Sequence, residues 1–80
     1  MTIRDDVYKL IERQLDVPRD TIRDDNRLVE DHGADELAMV EILIDLETWF
    51  EMDISDEDVE KLTTVGAIVE YVERRKAGAQ

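Results

Sequence analysis

The first candidates for a nucleophile–base pair in this sequence are the single histidine His32 and the single serine Ser55. Neither has a partner for it. A nucleophile needs a base within hydrogen-bond reach, and His32 has no cysteine to activate because the chain has none. Ser55 is followed at once by Asp56, Glu57 and Asp58, so it reads as the cap of a helix whose acids suit its N-terminus. His32, between Asp31 and Gly33, reads as a turn residue. Gly33, Gly66 and Gly78 are scattered and make no phosphate-cradling loop. The acids invite a calcium loop, but one begun at Asp53 puts Asp58 where glycine is required and Thr64 where a bidentate glutamate is required. Unspecific divalent binding to a cluster such as Glu30, Asp31 and Asp35 stays open as an alternative. No enzyme is expected, and no catalytic residue or metal ligand is assigned.

The remaining chemistry is charge. The 80 residues carry a net charge of −12, with 40% charged and 5% aromatic side chains. Residues 1–27 hold seven acids and six bases, residues 61–80 two acids and four bases, and residues 28–60 thirteen acids with no base. Such a field opposes nucleic-acid phosphates and attracts basic protein surfaces. It also serves solubility. No run approaches the ~18 apolar residues of a membrane span, and the start of the chain has no signal-peptide pattern, so a cytoplasmic monomer is expected.

Four helices must position that charge. Ile3, Val7, Leu10, Ile11 and Leu15 make one helical stripe, with Thr2 as cap and Val17-Pro18 as the stop. Asp16 to about Ala34 reads as a long loop anchored by Ile22, Leu28 and Val29, and loops of that length tend to be functional. A second helix runs from Asp35 or Glu36 to Phe50, with Gly33 as the turn before it and Asp35 as its cap. Its core stripe is Met39, Ile42, Leu43, Leu46, Trp49 and Phe50. A second apolar row, Leu37, Val40 and Ile44, is fringed by Glu36, Glu41, Glu47 and Glu51. That row is either buried by neighbours on two sides or kept for a partner. A short third helix spans Asp56–Leu62. The last starts at Thr63 or Thr64, with Val65, Ile68, Val69 and Val72 inward and Arg74, Arg75 and Lys76 in its final turn. The fold class is all-α: a four-helix bundle with a short third helix and a long first loop, one domain over residues 1–76 and a frayed tail at 77–80.

Taken together, the segments Val29-Glu30-Asp31-His32-Gly33-Ala34-Asp35-Glu36-Leu37, Val40-Glu41, Leu46-Glu47, Phe50, Ile54-Ser55-Asp56-Glu57 and Lys61-Leu62-Thr63-Thr64-Val65 resemble the acyl carrier proteins of fatty-acid and polyketide synthesis. The likeness covers about residues 3–73. It implies the same four-helix bundle and a 4'-phosphopantetheine arm, attached by a transferase to the serine of an Asp-Ser-Leu tripeptide at the head of the second helix. This chain has Asp35-Glu36-Leu37 there, has His32 where the family usually has leucine, and has Ala38 where an acid is common. Ser55, nineteen residues after Glu36, is no substitute.

The resemblance therefore implies a carrier-like chain with no arm and no bound cofactor. Asp35, Glu36, Leu37, Val40, Glu41, Ile44 and Glu47 would meet the basic surface of a synthase, ligase or regulator. Glu36 would also leave one negative charge near the place of the arm's phosphodiester, or act only as a helix-start acid. Two alternatives stand beside this: an ordinary acyl carrier protein in an engineered unmodifiable form, and an acidic protein responsive to divalent cations.

Overall fold

The computed structural model describes residues 2–77 as four helices, α1 (Ile3–Leu15), α2 (Glu36–Phe50), α3 (Asp56–Val59) and α4 (Val65–Ala77), with a 3₁₀ turn at Arg19–Thr21 inside the long loop. All four helix starts follow local chemistry. The Thr2 hydroxyl accepts from the Asp5 amide at 3.1 Å, the Asp35 carboxylate from the Ala38 amide at 2.8 Å, and the Ser55 hydroxyl from the Asp58 amide at 3.2 Å. Each satisfies one amide that the helix itself leaves without a partner. Thr64 does the same for α4, accepting from Ala67 at 3.0 Å. Ala77, expected in the tail, closes α4, and residues 78–80 of that tail lie outside the described residues.

α1 is the central helix and packs against both α2 and α4. Val7, Leu10 and Ile11 of α1 meet Ile42, Leu46 and Phe50 of α2 and Val65, Ile68, Val69 and Val72 of α4 in one core. Ile22, Leu28, Ala34 and Leu62 cap it from the connections. No buried polar side-chain atom among the described residues lacks a partner. Two apolar expectations are corrected. Val29 is exposed, because Leu28 donates its amide to the Thr63 carbonyl at 3.0 Å and takes the inward place, turning its neighbour to solvent. Trp49 is 39% exposed on the flank of α2 and stacks on Phe50 with centroids 6.3 Å apart, so it shields the core rather than filling it.

α3 ends at Val59, three residues earlier than the acidic pattern suggests. Lys61 and Leu62 donate three residues back, to Asp58 and Val59, at 2.9 and 3.0 Å. This tighter winding drops Leu62 into the core and brings Thr63 and Thr64 against the long loop, where Arg27 and Thr64 form an isolated bridge. The Asn26 carbonyl accepts from Val65 at 3.0 Å, so the loop is held largely by backbone bonds to the α3–α4 joint.

α2 has no base in its own last turn. Lys76 of α4 supplies one, donating from Nζ to the Phe50 carbonyl at 2.6 Å. The residue after Phe50, Glu51, caps the helix in the left-handed region at φ 52° and is not glycine. A side chain there is strained, and its carboxylate adds negative charge at the negative end of a helix. Glu51→Gly is expected to raise stability by about 1 kcal/mol, read as a higher urea midpoint at unchanged slope.

Asp58 links α3 to α4. Its carboxylate accepts from the Tyr71 hydroxyl at 2.7 Å, and chiefly for that reason it ionises below the usual carboxylate range, with Lys61 at 3.9 Å adding to the effect. Stability from such a group is complete above the unfolded pKa of about 4 and disappears as pH falls through the lowered folded value. Asp58→Asn should therefore cost stability at neutral pH, and the gap from wild type should close below about pH 4 in paired urea titrations.

Candidate functional site

The head of α2 is built by a lead-in that bonds mainly to itself. The Arg27 amide donates to the Asp31 carboxylate at 2.7 Å, Gly33 to the Val29 carbonyl at 3.0 Å, and Ala34 to the Leu28 carbonyl at 2.9 Å. Gly33 has φ +68° with open space around it, so the backbone conformation, not crowding, calls for glycine there. His32 lies in this turn. Its Nε2–H donates to Asn26 Oδ1 at 2.9 Å, an oxygen that also accepts the Arg23 amide at 2.8 Å, so the imidazole has a structural task.

Beyond the turn, Asp35 has one carboxylate oxygen committed to the cap, and Glu36, the first helical residue, is exposed. The second apolar row lies on the outside of the bundle. Leu37 is 66% exposed, Val40 45% and Ile44 53%. Burial by neighbours on two sides is thereby excluded, and Glu41 stands exposed beside the row. Glu47 differs from the other acids of the set. It is half-buried, and its Oε2 accepts the Ile54 amide at 2.9 Å, so it braces the α2–α3 connection.

A cleft of about 420 Å³ opens on the other flank of α2, lined by Leu28 and Val29 of the loop, Met39 of α2, and Val59 and Leu62 beyond, with Arg27 and Glu60 among its polar lining. Sequence reasoning missed it; the available signal was that Val29 and Val59 belong to no helical stripe. The acid cluster Glu30, Asp31 and Asp35 does not assemble a cation site. Asp31 and Asp35 are spent on backbone amides, and no group of three histidine, aspartate or glutamate side chains suited to a metal occurs among the described residues.

An acid-capped helix presenting an apolar row over a compact four-helix core has clear relatives. Residues 5–72 match the family described as phosphopantetheine attachment site, and the chain is 41% identical over 76 residues to the acyl carrier protein of Wolinella succinogenes, covering 95% of this chain and 100% of that one. The chain belongs to the acyl carrier protein family. Among solved structures, a Mycobacterium tuberculosis protein described as an acyl carrier protein superposes with a TM-score of 0.86 at 28% identity, covering 92% of this chain and 99% of that one. The acyl carrier protein of Enterococcus faecalis superposes at 0.76 with 37% identity, covering 90% and 95%. Acyl carrier proteins are carriers rather than enzymes, their cofactor is 4'-phosphopantetheine, and they work by meeting synthases and other carrier-recognising enzymes. The all-helical fold and the non-enzymatic reading both agree with membership of the acyl carrier family. Among the described residues no helix is long and apolar enough to cross a membrane.

Proposed function

We propose that this chain is an acyl carrier family member that keeps the recognition face and lacks the arm, acting as an acidic interaction module for carrier-recognising proteins. The observation that carries the reading is the exposed glutamate Glu36 at the head of α2, followed by an apolar row that the fold leaves in solvent. Glu36 stands, on this reading, where the family bears its attachment serine. Transfer of phosphopantetheine from coenzyme A to a carrier needs an alcohol oxygen as acceptor, and a carboxylate does not fit that chemistry. The serine Ser55 is spent as the cap of α3, where it accepts from Asp58.

Leu37, Val40 and Ile44 would fill the contact while Glu36 and Glu41 meet arginine and lysine of the partner. Asp35 and Glu47 belong to the same face and hold its frame, through the Ala38 and Ile54 amides. Exposed ion pairs are worth about 0.2–1 kcal/mol each and are screened by salt, so binding should be weak and should fall as ionic strength rises. A broad-specificity phosphopantetheinyl transferase is a suitable probe. The wild-type chain should bind it at low salt, and Glu41→Lys, which replaces attraction by repulsion at an exposed site, should weaken binding about threefold to tenfold. Unchanged affinity for Glu41→Lys at low salt would place the contact elsewhere.

A further inference from the structure

The loop between α1 and α2 is long, yet from Val17 to Arg27 it buries a single apolar side chain, Ile22, with Val17 partly buried against the core. Beyond the Asn26–Val65 backbone bond and the Arg27–Thr64 bridge at its far end, its fastening converges on Asp24. The carboxylate accepts the Tyr8 hydroxyl and pairs with the Arg4 guanidinium, both from α1. The carbonyl of the same residue accepts the Gly66 amide at 2.8 Å, in the first turn of α4, where helix amides have no partner of their own. Gly66 is what allows this approach. A Cβ there would lie 3.0 Å from the Asp24 carbonyl oxygen and 3.1 Å from its Cβ. A second tie runs alongside, with the Arg19 guanidinium 4.4 Å from the centre of the Tyr8 ring and 3.2 Å from the Asp5 carboxylate.

We propose that Asp24 is the keystone of a clasp joining α1, the loop and α4, and that segment 17–27 opens and closes on it as one local unit while the three-helix core stays packed. The segment belongs to the low-stability end of the fold because it is held by few apolar contacts and by partly exposed polar ones. Opening would also dissolve the cleft of about 400 Å³ beside it, whose walls are Asp24 and Asp25 on one side and Gly66, Glu70 and Arg74 on the other.

The experiment is residue-resolved amide exchange on the full chain at neutral pH. The clasp reporters are the bonded amides of Ile22, Asn26 and Gly66, with Leu46 in α2 as the core reporter. Asp24→Asn, which removes the ion pair, should lower protection of all three reporters several-fold by the same factor and leave Leu46 unchanged. Gly66→Ala, which pries the joint apart sterically without touching charge, should do the same to the Ile22 and Asn26 amides. Tyr8→Phe removes one donor to the carboxylate with the ring kept, and should give a smaller change in the same three amides; it decides the matter if Asp24→Asn does not fold. The clasp is refuted if Gly66 alone loses protection, if Leu46 falls with the others, or if all the variants exchange like wild type.

Discussion

Ile68→Ala should cost about 2–5 kcal/mol and leave the domain partly unfolded at room temperature, whereas Ile44→Ala should stay within about 0.5 kcal/mol of wild type. The two residues are of one type and sit on two helices of similar length, but Ile68 is fully buried and Ile44 is 53% exposed. Removing the Ile68 side chain opens a cavity in the core it shares with Val7, Leu10 and Ile11 of α1 and with Ile42 and Leu46 of α2. Little rearrangement can refill that space in a chain of 80 residues, where one small core supplies nearly all the stability. Urea melts of both variants, followed by helical circular dichroism, make the comparison. Equal losses would mean that the outer row of α2 serves folding and is not free for a partner.

That row shows how far a sequence can be read and where it stops. Caps are local, so Thr2, Asp35 and Ser55 were legible as helix starts, and each accepts the amide three residues on. The stripe Val65, Ile68, Val69 and Val72 was legible because α4 has only one apolar face, and all four are buried. α2 carries two rows at helical spacing, and although the stripe with Ile42, Leu46 and Phe50 was legible as core, periodicity alone does not say whether the second row is buried as well. The position of α1 decides it: Ile42, Leu46 and Phe50 pack inward, and Leu37, Val40 and Ile44 do not.

The loop was the least legible part, for a physical reason. Its ties to the α3–α4 joint are backbone bonds between residues far apart in the chain, Leu28 to Thr63, Asn26 to Val65 and Asp24 to Gly66, and backbone groups leave no mark in residue type. The one signal available was Gly66, a glycine inside a helix, which the close approach of Asp24 requires. Glu47 was ambiguous in a different way. An acid on an acidic helix looks like its neighbours, and its bond to the Ile54 amide depends on how the next connection folds back. The charge of −12 keeps its meaning throughout, because the described structure places Glu36 and Glu41 exposed around the outer row.

The second large effect is covalent. Glu36→Ser completes an Asp-Ser-Leu tripeptide at the head of α2 behind an intact cap, beside the unchanged row of Leu37, Val40 and Ile44. If only the acceptor oxygen is missing, this one substitution should turn a chain that takes no arm into one that takes a full equivalent. Folding should change little, since Glu36 is exposed and makes a helix-start contribution of at most about 1 kcal/mol. A single pair of proteins thus tests recognition and attachment chemistry separately.

The deciding measurement is intact mass after incubation of both chains with coenzyme A and a broad-specificity phosphopantetheinyl transferase. The expected result is an unchanged wild-type mass and a gain of one phosphopantetheine on Glu36→Ser. A gain of that mass on the wild-type chain, or none on the folded Glu36→Ser variant, would contradict the account.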